Sequence, residues 1–206
     1  MNQNIRNRLE QLKGQRDKVI QQIRETRLAI RKEKQTLVFN EQARELIRAV
    51  GLETQKLLQF HISDITSMAL DAVFDDPYTL KVDFVQRRNK TECDLLFVRE
   101  GKEIEPLEAS GYGAVDIACF ALRIASWSMK SPKARNTMIL DEPFKNLDKL
   151  KQPLASQMVN EVSKKLGIQF IMVTHEPSLT DHADKVFEVS IKDYVSEVKS
   201  NIIELV

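Results

Sequence analysis

From Ile5 onward, apolar residues return every three or four positions, with Ile5, Leu12 and Val19 at one seam position and Leu9, Ile23, Ile30 and Leu37 at the other. That heptad spacing predicts a coiled-coil helix whose seam needs a partner helix. Arg16, Thr26 and Glu33 interrupt the seam, and Gly14 costs about 1 kcal/mol of helix stability relative to Ala. The first proline is Pro77, so a nearly continuous helical region is expected from about residue 4 to Val73, with a bend near Gly51.

Past Asp75-Asp76-Pro77 the period shortens to two, placing Leu80, Val82 and Phe84 on one face of a strand. The polar turn Arg87-Arg88-Asn89-Lys90 separates it from a second strand that starts near Cys93 and continues through Asp94-Leu95-Leu96-Phe97-Val98. An antiparallel hairpin is the expectation. From Gly111 the pattern becomes α/β: a helix over 112–129, the strand Thr137-Met138-Ile139-Leu140, a helix near 150–166, and a strand from Ile168 to Thr174. Continuous apolar strands alternating with helices predict a parallel sheet covered on both faces. The chain has no internal repeat and no low-complexity segment.

With 206 residues, 42% of them hydrophobic, there is material for one cored domain with an extended appendage. No run of about 18 apolar residues exists to span a bilayer, and the polar start Met1-Asn2-Gln3-Asn4 has no signal-peptide core, so a soluble cytoplasmic protein is expected. Cys93 and Cys119 are the only cysteines, which gives neither a disulfide framework nor a zinc site any support; both are expected to be buried apolar residues. The net charge of +1 conceals an asymmetry. Residues 1–40 hold ten Lys or Arg against four acidic residues, and the remainder of the chain is acidic. That basic excess suits nucleic-acid phosphates, and a solvated helix face gives the same count.

The strand at 137–140 runs directly into Asp141-Glu142-Pro143. Two carboxylates at the carboxyl end of a buried strand suggest a metal or phosphate site, because ligands bind at that edge of open α/β sheets. Taken alone, the pair could equally begin a solvated loop. Pro143 disfavours the right-handed helical region for Glu142, so an extended residue is expected there, fixed where a carboxylate can position water. Phe144-Lys145-Asn146-Leu147-Asp148 follows at once, and the next apolar strand ends in Thr174-His175-Glu176. An acid pair and an imidazole would then meet at adjacent strand ends, the usual form of a hydrolytic site. Upstream, Ser110-Gly111-Tyr112-Gly113 precedes the helix over 112–129. Ser110 is a natural N-cap, and the amides at that helix end suit an anion, which Gly111 lets approach closely.

In this order the motifs resemble those of the ABC-type ATPases, specifically the SMC and SbcC-like branch that serves chromosome maintenance and double-strand-break repair. Ile139 to Pro143 looks like the Walker B strand, Phe144 to Asp148 the D-loop, Phe170 to His175 the switch-histidine strand, and Ser110 to Gly113 the signature motif. The coiled coil separates this branch from transporter ATPases. The resemblance implies an α/β C-terminal lobe of an ATPase head, a mostly parallel sheet with flanking helices, preceded by a long coiled-coil helix and the hairpin. Residues 1–50 would be the coiled-coil segment and 51–206 the C-terminal half of the head.

The resemblance also implies roles. Asp141 would hold Mg2+ through water, Glu142 would act as general base or orient the attacking water, and His175 would contact the γ-phosphate of ATP. Asp148 would work across a dimer. Ser110, Gly111 and Gly113 would reach ATP held by a second head, so that ATP bridges the two. Tyr112 stands where a second glycine is usual, and Gly113 where Glu or Gln is common. No Gly-x-x-x-x-Gly-Lys-Ser/Thr loop occurs in the chain, so the β-phosphate has no cradle here. The expectation is a fragment, or one subunit of a split protein, whose partners are the N-terminal half of the head, a second head, DNA and, at the coiled coil, a nuclease subunit. A cytoplasmic or nucleoid-associated location follows from the same resemblance. Two other readings stand beside this one: a non-catalytic coiled-coil adaptor that retains the head fold, and the ATPase half of a transporter.

Overall fold

The computed structural model describes residues 2–88, 90–109 and 111–202. A single helix, α1, runs over Asn2–Asp71 and passes through Gly14 and Gly51 unbroken. Thr26, Thr36 and Thr54 each return their hydroxyl to the carbonyl four residues earlier, so these β-branched positions are accommodated within the ladder. The chain divides into two compact units, Met1–Thr54 and Gln55–Val206. In the first, the seam residues Ile5, Leu9, Leu12, Val19, Ile23, Ile30 and Leu37 are all exposed. The heptad therefore has a helix to sit on and an apolar stripe still to be covered.

The second unit holds the core. An antiparallel meander joins β1 (Thr79–Arg87), β2 (Lys90–Arg99) and β3 (Lys102–Ile104). The register sets Leu80 opposite Phe97 and Val82 opposite Leu95, as the alternation requires. Glu100 and Gly101 both take positive φ between β2 and β3, the geometry of a two-residue hairpin turn. Short α2 (Pro106–Ala109) leads to α3 (Tyr112–Met129), whose alanines and Ile117, Phe120 and Ile124 are buried. Next come β4 (Thr137–Asp141), α4 (Gln152–Leu166) and β5 (Gln169–Val173), with β4 and β5 paired in parallel. Phe120 touches both Phe144 and Phe170 with ring centroids 5.5 Å apart, so α3 is packed on the strands and on the loop after β4.

Several expectations change. Among the described residues the parallel sheet has two strands, and only one of its faces is covered. Met138, Leu140, Phe170 and Met172 join the core, whereas Ile139, Ile171 and Val173 are 71%, 45% and 56% exposed. Cys93 and Cys119 are exposed rather than buried: Cys93 shares the inner face with Leu95 and Phe97 but lies toward the hairpin tip, beyond the core, and Cys119 falls on the outer side of α3. A further hairpin, β6 (Lys185–Lys192) and β7 (Val195–Ile202), closes the described chain. Its alternating Phe187, Val189 and Ile191 are exposed on one face.

Candidate active site

The site begins where β4 ends. Asp141 is the last residue of the parallel register, opposite Val173, and the Glu142 amide extends the ladder by donating to the Val173 carbonyl at 2.9 Å. Glu142 then takes φ +44°, not the extended conformation expected of it. Pro143 disfavours the right-handed helical region for Glu142, and the sharp exit from the sheet is made through the left-handed one. Positive φ at a glutamate is uncommon, and such backbone is held in place only by surrounding contacts. Here they come from His175 and Thr174. His175 Nδ1 lies 2.7 Å from Glu142 Oε1, and Thr174 Oγ1 donates to Glu142 Oε2 at 3.4 Å. Thr174 Oγ1 also accepts the Glu176 amide at 3.1 Å, and His175 Nε2 is 3.5 Å from Glu176 Oε1.

His175 therefore stands between two carboxylates. The hydrogen bond to Glu142, with the Coulombic attraction of Glu142 and a smaller one from Glu176, raises its pKa above the usual histidine value, against a partial loss of solvation. The imidazole remains mostly open to solvent and the Glu142 carboxylate is half-buried, an arrangement able to hold a proton and reach a ligand. The side chain of Asp141 is exposed and has no bonding partner among the described residues. No group of three or more His, Cys, Asp or Glu that could hold a metal occurs among the described residues.

A second group forms around the loop that follows. Ser110 lies outside the described residues; Gly111 holds the N-cap position of α3 at φ +78°, where no side chain caps the helix. Gly111 instead supplies backbone freedom. Gly113, the second residue of α3, lies against the loop: a Cβ there would be 3.1 Å from the Asn146 carbonyl oxygen and 3.3 Å from the Leu147 Cα. Asp148 accepts the Leu150 amide at 3.0 Å, while its carbonyl takes the Lys151 and Gln152 amides at the start of α4. Glu142 and His175 are thus brought into contact, with Asp141 adjacent in the chain, and Gly113 meets the loop that leads to Asp148.

Four residues with no role in the sequence reading prove to hold these segments. Thr174 and Glu176 flank His175 as described. Asp116 accepts both the backbone and side-chain N–H groups of Asn146. Gln152, 1% exposed, donates to the Leu147 carbonyl at 3.3 Å. The signal for Asp116 was present, since it is one of only two charged residues in α3.

No family model matches the chain. The lipoprotein-releasing system ATP-binding protein LolD of Anaeromyxobacter dehalogenans is 34% identical over 56 residues, which is 27% of this chain and 23% of LolD. The chain thus spans about a quarter of that curated relative. Among solved structures, an SMC head described for ATP-driven dimerization and DNA-stimulated activation of SMC ATPases aligns over 74% of this chain and 88% of its own, with 21% identity and a TM-score of 0.55. An SMC head bound to the C-winged helix domain of ScpA aligns over 76% of this chain and 46% of its own, with 21% identity and a TM-score of 0.58. The SMC head with coiled coil and joint from Pyrococcus yayanosii aligns over 86% and 33%, with 20% identity and a TM-score of 0.59. A mixed α/β unit with a long N-terminal helix and an antiparallel hairpin is common ground with these structures, and the chain shares the fold of SMC head domains.

Proposed function

We propose that the chain is the C-terminal half of an SMC-like ATPase head of the SbcC-like branch, with residues 1–50 as coiled coil and 51–206 as the half-head. It turns over ATP once joined to an N-terminal half that carries the phosphate-binding loop. The observation that carries this reading is the 2.7 Å contact between Glu142 and His175 at the ends of two parallel strands. Glu142 orients the attacking water or takes its proton, and His175, biased toward its cation, donates to the γ-phosphate. The exposed, unpaired carboxylate of Asp141 fits Mg2+, which binds through one or two carboxylates with waters and phosphate oxygens rather than in an all-protein cage. When bound, the ion neutralises charge on the phosphates. Ser110, Gly111, Gly113 and Asp148 face nucleotide on a second head.

The bare β4–β5 face supports docking of the missing half, and the exposed seam supports a second coil strand. The basic excess over residues 1–40 supports DNA as ligand, as does the DNA stimulation described for the SMC neighbour. A role in DNA repair, recombination or chromosome organisation, a cytoplasmic or nucleoid-associated location and a nuclease at the coil extend the same reading. No described helix is long and apolar enough to cross a membrane.

Reconstitution with an N-terminal half bearing the loop tests it. ATP hydrolysis by the assembled head is expected, and Glu142→Gln should stop turnover while preserving ATP-dependent dimers. Unchanged turnover removes Glu142 from its role, and partner binding with no hydrolysis points to the adaptor.

A further inference from the structure

We infer that Asp116 is a positioning residue that ties the D-loop to the first turns of α3, so that both segments meet nucleotide on a second head as one body. This rests on the function proposed above. Asp116 Oδ2 accepts the Asn146 amide at 3.0 Å and Oδ1 accepts the Asn146 side-chain amide at 3.4 Å, across 30 residues of sequence. A carboxylate accepting two donors from one residue is a charge-assisted, orienting contact. Gly113 lies one turn earlier on the same face and brings the backbones within van der Waals distance of Asn146 and Leu147.

The far side of the loop is fastened independently. Leu147 is 5% exposed, its amide donates to the Phe144 carbonyl at 3.1 Å, and its carbonyl accepts the buried Gln152 amide. Those bonds tie the loop to itself and to α4, not to α3. The polar link to α3 is made by Asp116. Gly111 stands five residues before it, and Asp148 two residues after Asn146. Packing of Gly113 on Asn146 and Leu147 and of Phe120 on Phe144 holds the loop near α3, and the Asp116–Asn146 contact fixes its orientation there. A simpler role, an acid complementing the helix dipole, does not use both carboxylate oxygens on one loop residue and fades beyond the first turn.

The experiment compares Asp116→Ala and Asp116→Asn in the assembled head, beside wild type and Glu142→Gln. Asp116→Ala should lower kcat roughly 10- to 100-fold while KM for ATP stays within about twofold, since the loop is misplaced but the partner half still binds its nucleotide. Asp116→Asn keeps an oxygen to accept the Asn146 amide and should recover most of the rate. Hydrogen exchange in this chain alone reads the tie without turnover: the Asn146 amide should exchange faster in Asp116→Ala and near the wild-type rate in Asp116→Asn. Unchanged exchange overturns the inference, as does a kcat loss equal in both variants and parallel to a fall in melting temperature. If wild type hydrolyses ATP, Glu142→Gln does not and Asp116→Ala runs at full rate, the Asp116 inference alone fails. No hydrolysis by wild type overturns the proposed function and, with it, the effect of Asp116 on turnover.

Discussion

His175 donates its Nδ1 proton to Glu142 Oε1 at 2.7 Å, across the ends of two strands that lie 32 residues apart in sequence at Asp141 and Val173. A carboxylate only accepts, so this bond fixes the tautomer of the neutral ring and leaves Nε2 to face Glu176 or a ligand. The positive φ of Glu142 and the Thr174 hydroxyl aim the carboxylate at the imidazole. Backbone, proline and hydroxyl converge on one contact.

The pH dependence follows from that contact. His175 should titrate above 6.5 in the folded chain, and Glu142→Gln should bring the midpoint back toward 6.5, leaving the smaller effect of Glu176. A raised folded-state pKa means the pair's contribution to stability is fully present below the unfolded value and is lost as pH rises through the folded value. NMR titration of the ring proton signals measures the midpoint. A midpoint that Glu142→Gln leaves in place would dismiss Glu142 as the cause.

Two glycines should respond oppositely to alanine. At Gly113 a Cβ presses on the backbone of Asn146 and Leu147, which buried Phe144 and Leu147 hold in place. Overpacking there should cost about 1–3 kcal/mol, read by denaturant unfolding. Gly14 lies within α1 with nothing within 4 Å of the added methyl, so Gly14→Ala should gain up to about 1 kcal/mol of helix stability, read by circular dichroism. A stabilising Gly113→Ala would show that the loop yields.

Phe144 connects the site to the core. It is fully buried and meets Phe120 edge-on. Phe144→Ala should cost about 3–5 kcal/mol by calorimetry or denaturant, a core value rather than a loop value. A loss below about 1 kcal/mol, the scale of ordinary surface changes, would mean that the loop is not anchored through this ring.

Local pattern explains what could be read beforehand. The α3 helix over 112–129 and the parallel strands at 137–141 and 169–173 carry unmixed apolar periods, so their type and place were legible. The acid pair and His175 were legible because strand ends mark themselves by an abrupt change from apolar to charged. Side-chain direction was not. Nothing local tells that Glu142 would turn to positive φ. The β6–β7 hairpin carries a period of two in Phe187, Val189 and Ile191, with Glu188 and Ser190 between them, but its reversal at Asp193-Tyr194 has no glycine to mark the turn. Residue type gives cysteine only a burial tendency, while the face of α3 exposes Cys119 and the distance from the core along β2 exposes Cys93.

The bare face of the β4–β5 sheet should be a docking surface. Ile139 and Ile171 lie opposite one another in the register, 71% and 45% exposed, on strands whose other face is packed. Adjacent exposed isoleucines on a two-stranded sheet invite association, and a half-head that docks on its complement would cover them. Threonine keeps the β preference while removing apolar area, so Ile139→Thr with Ile171→Thr should leave the melting temperature near wild type. Dye binding and self-association of the chain alone should fall. Affinity for a segment bearing the phosphate-binding loop should drop by roughly 2 kcal/mol, on the order of thirtyfold in Kd. Affinity unchanged by both substitutions, measured by titration calorimetry, would place the docking surface elsewhere. The alternating face of Phe187, Val189 and Ile191 would then be the apolar surface to test by the same pair of measurements.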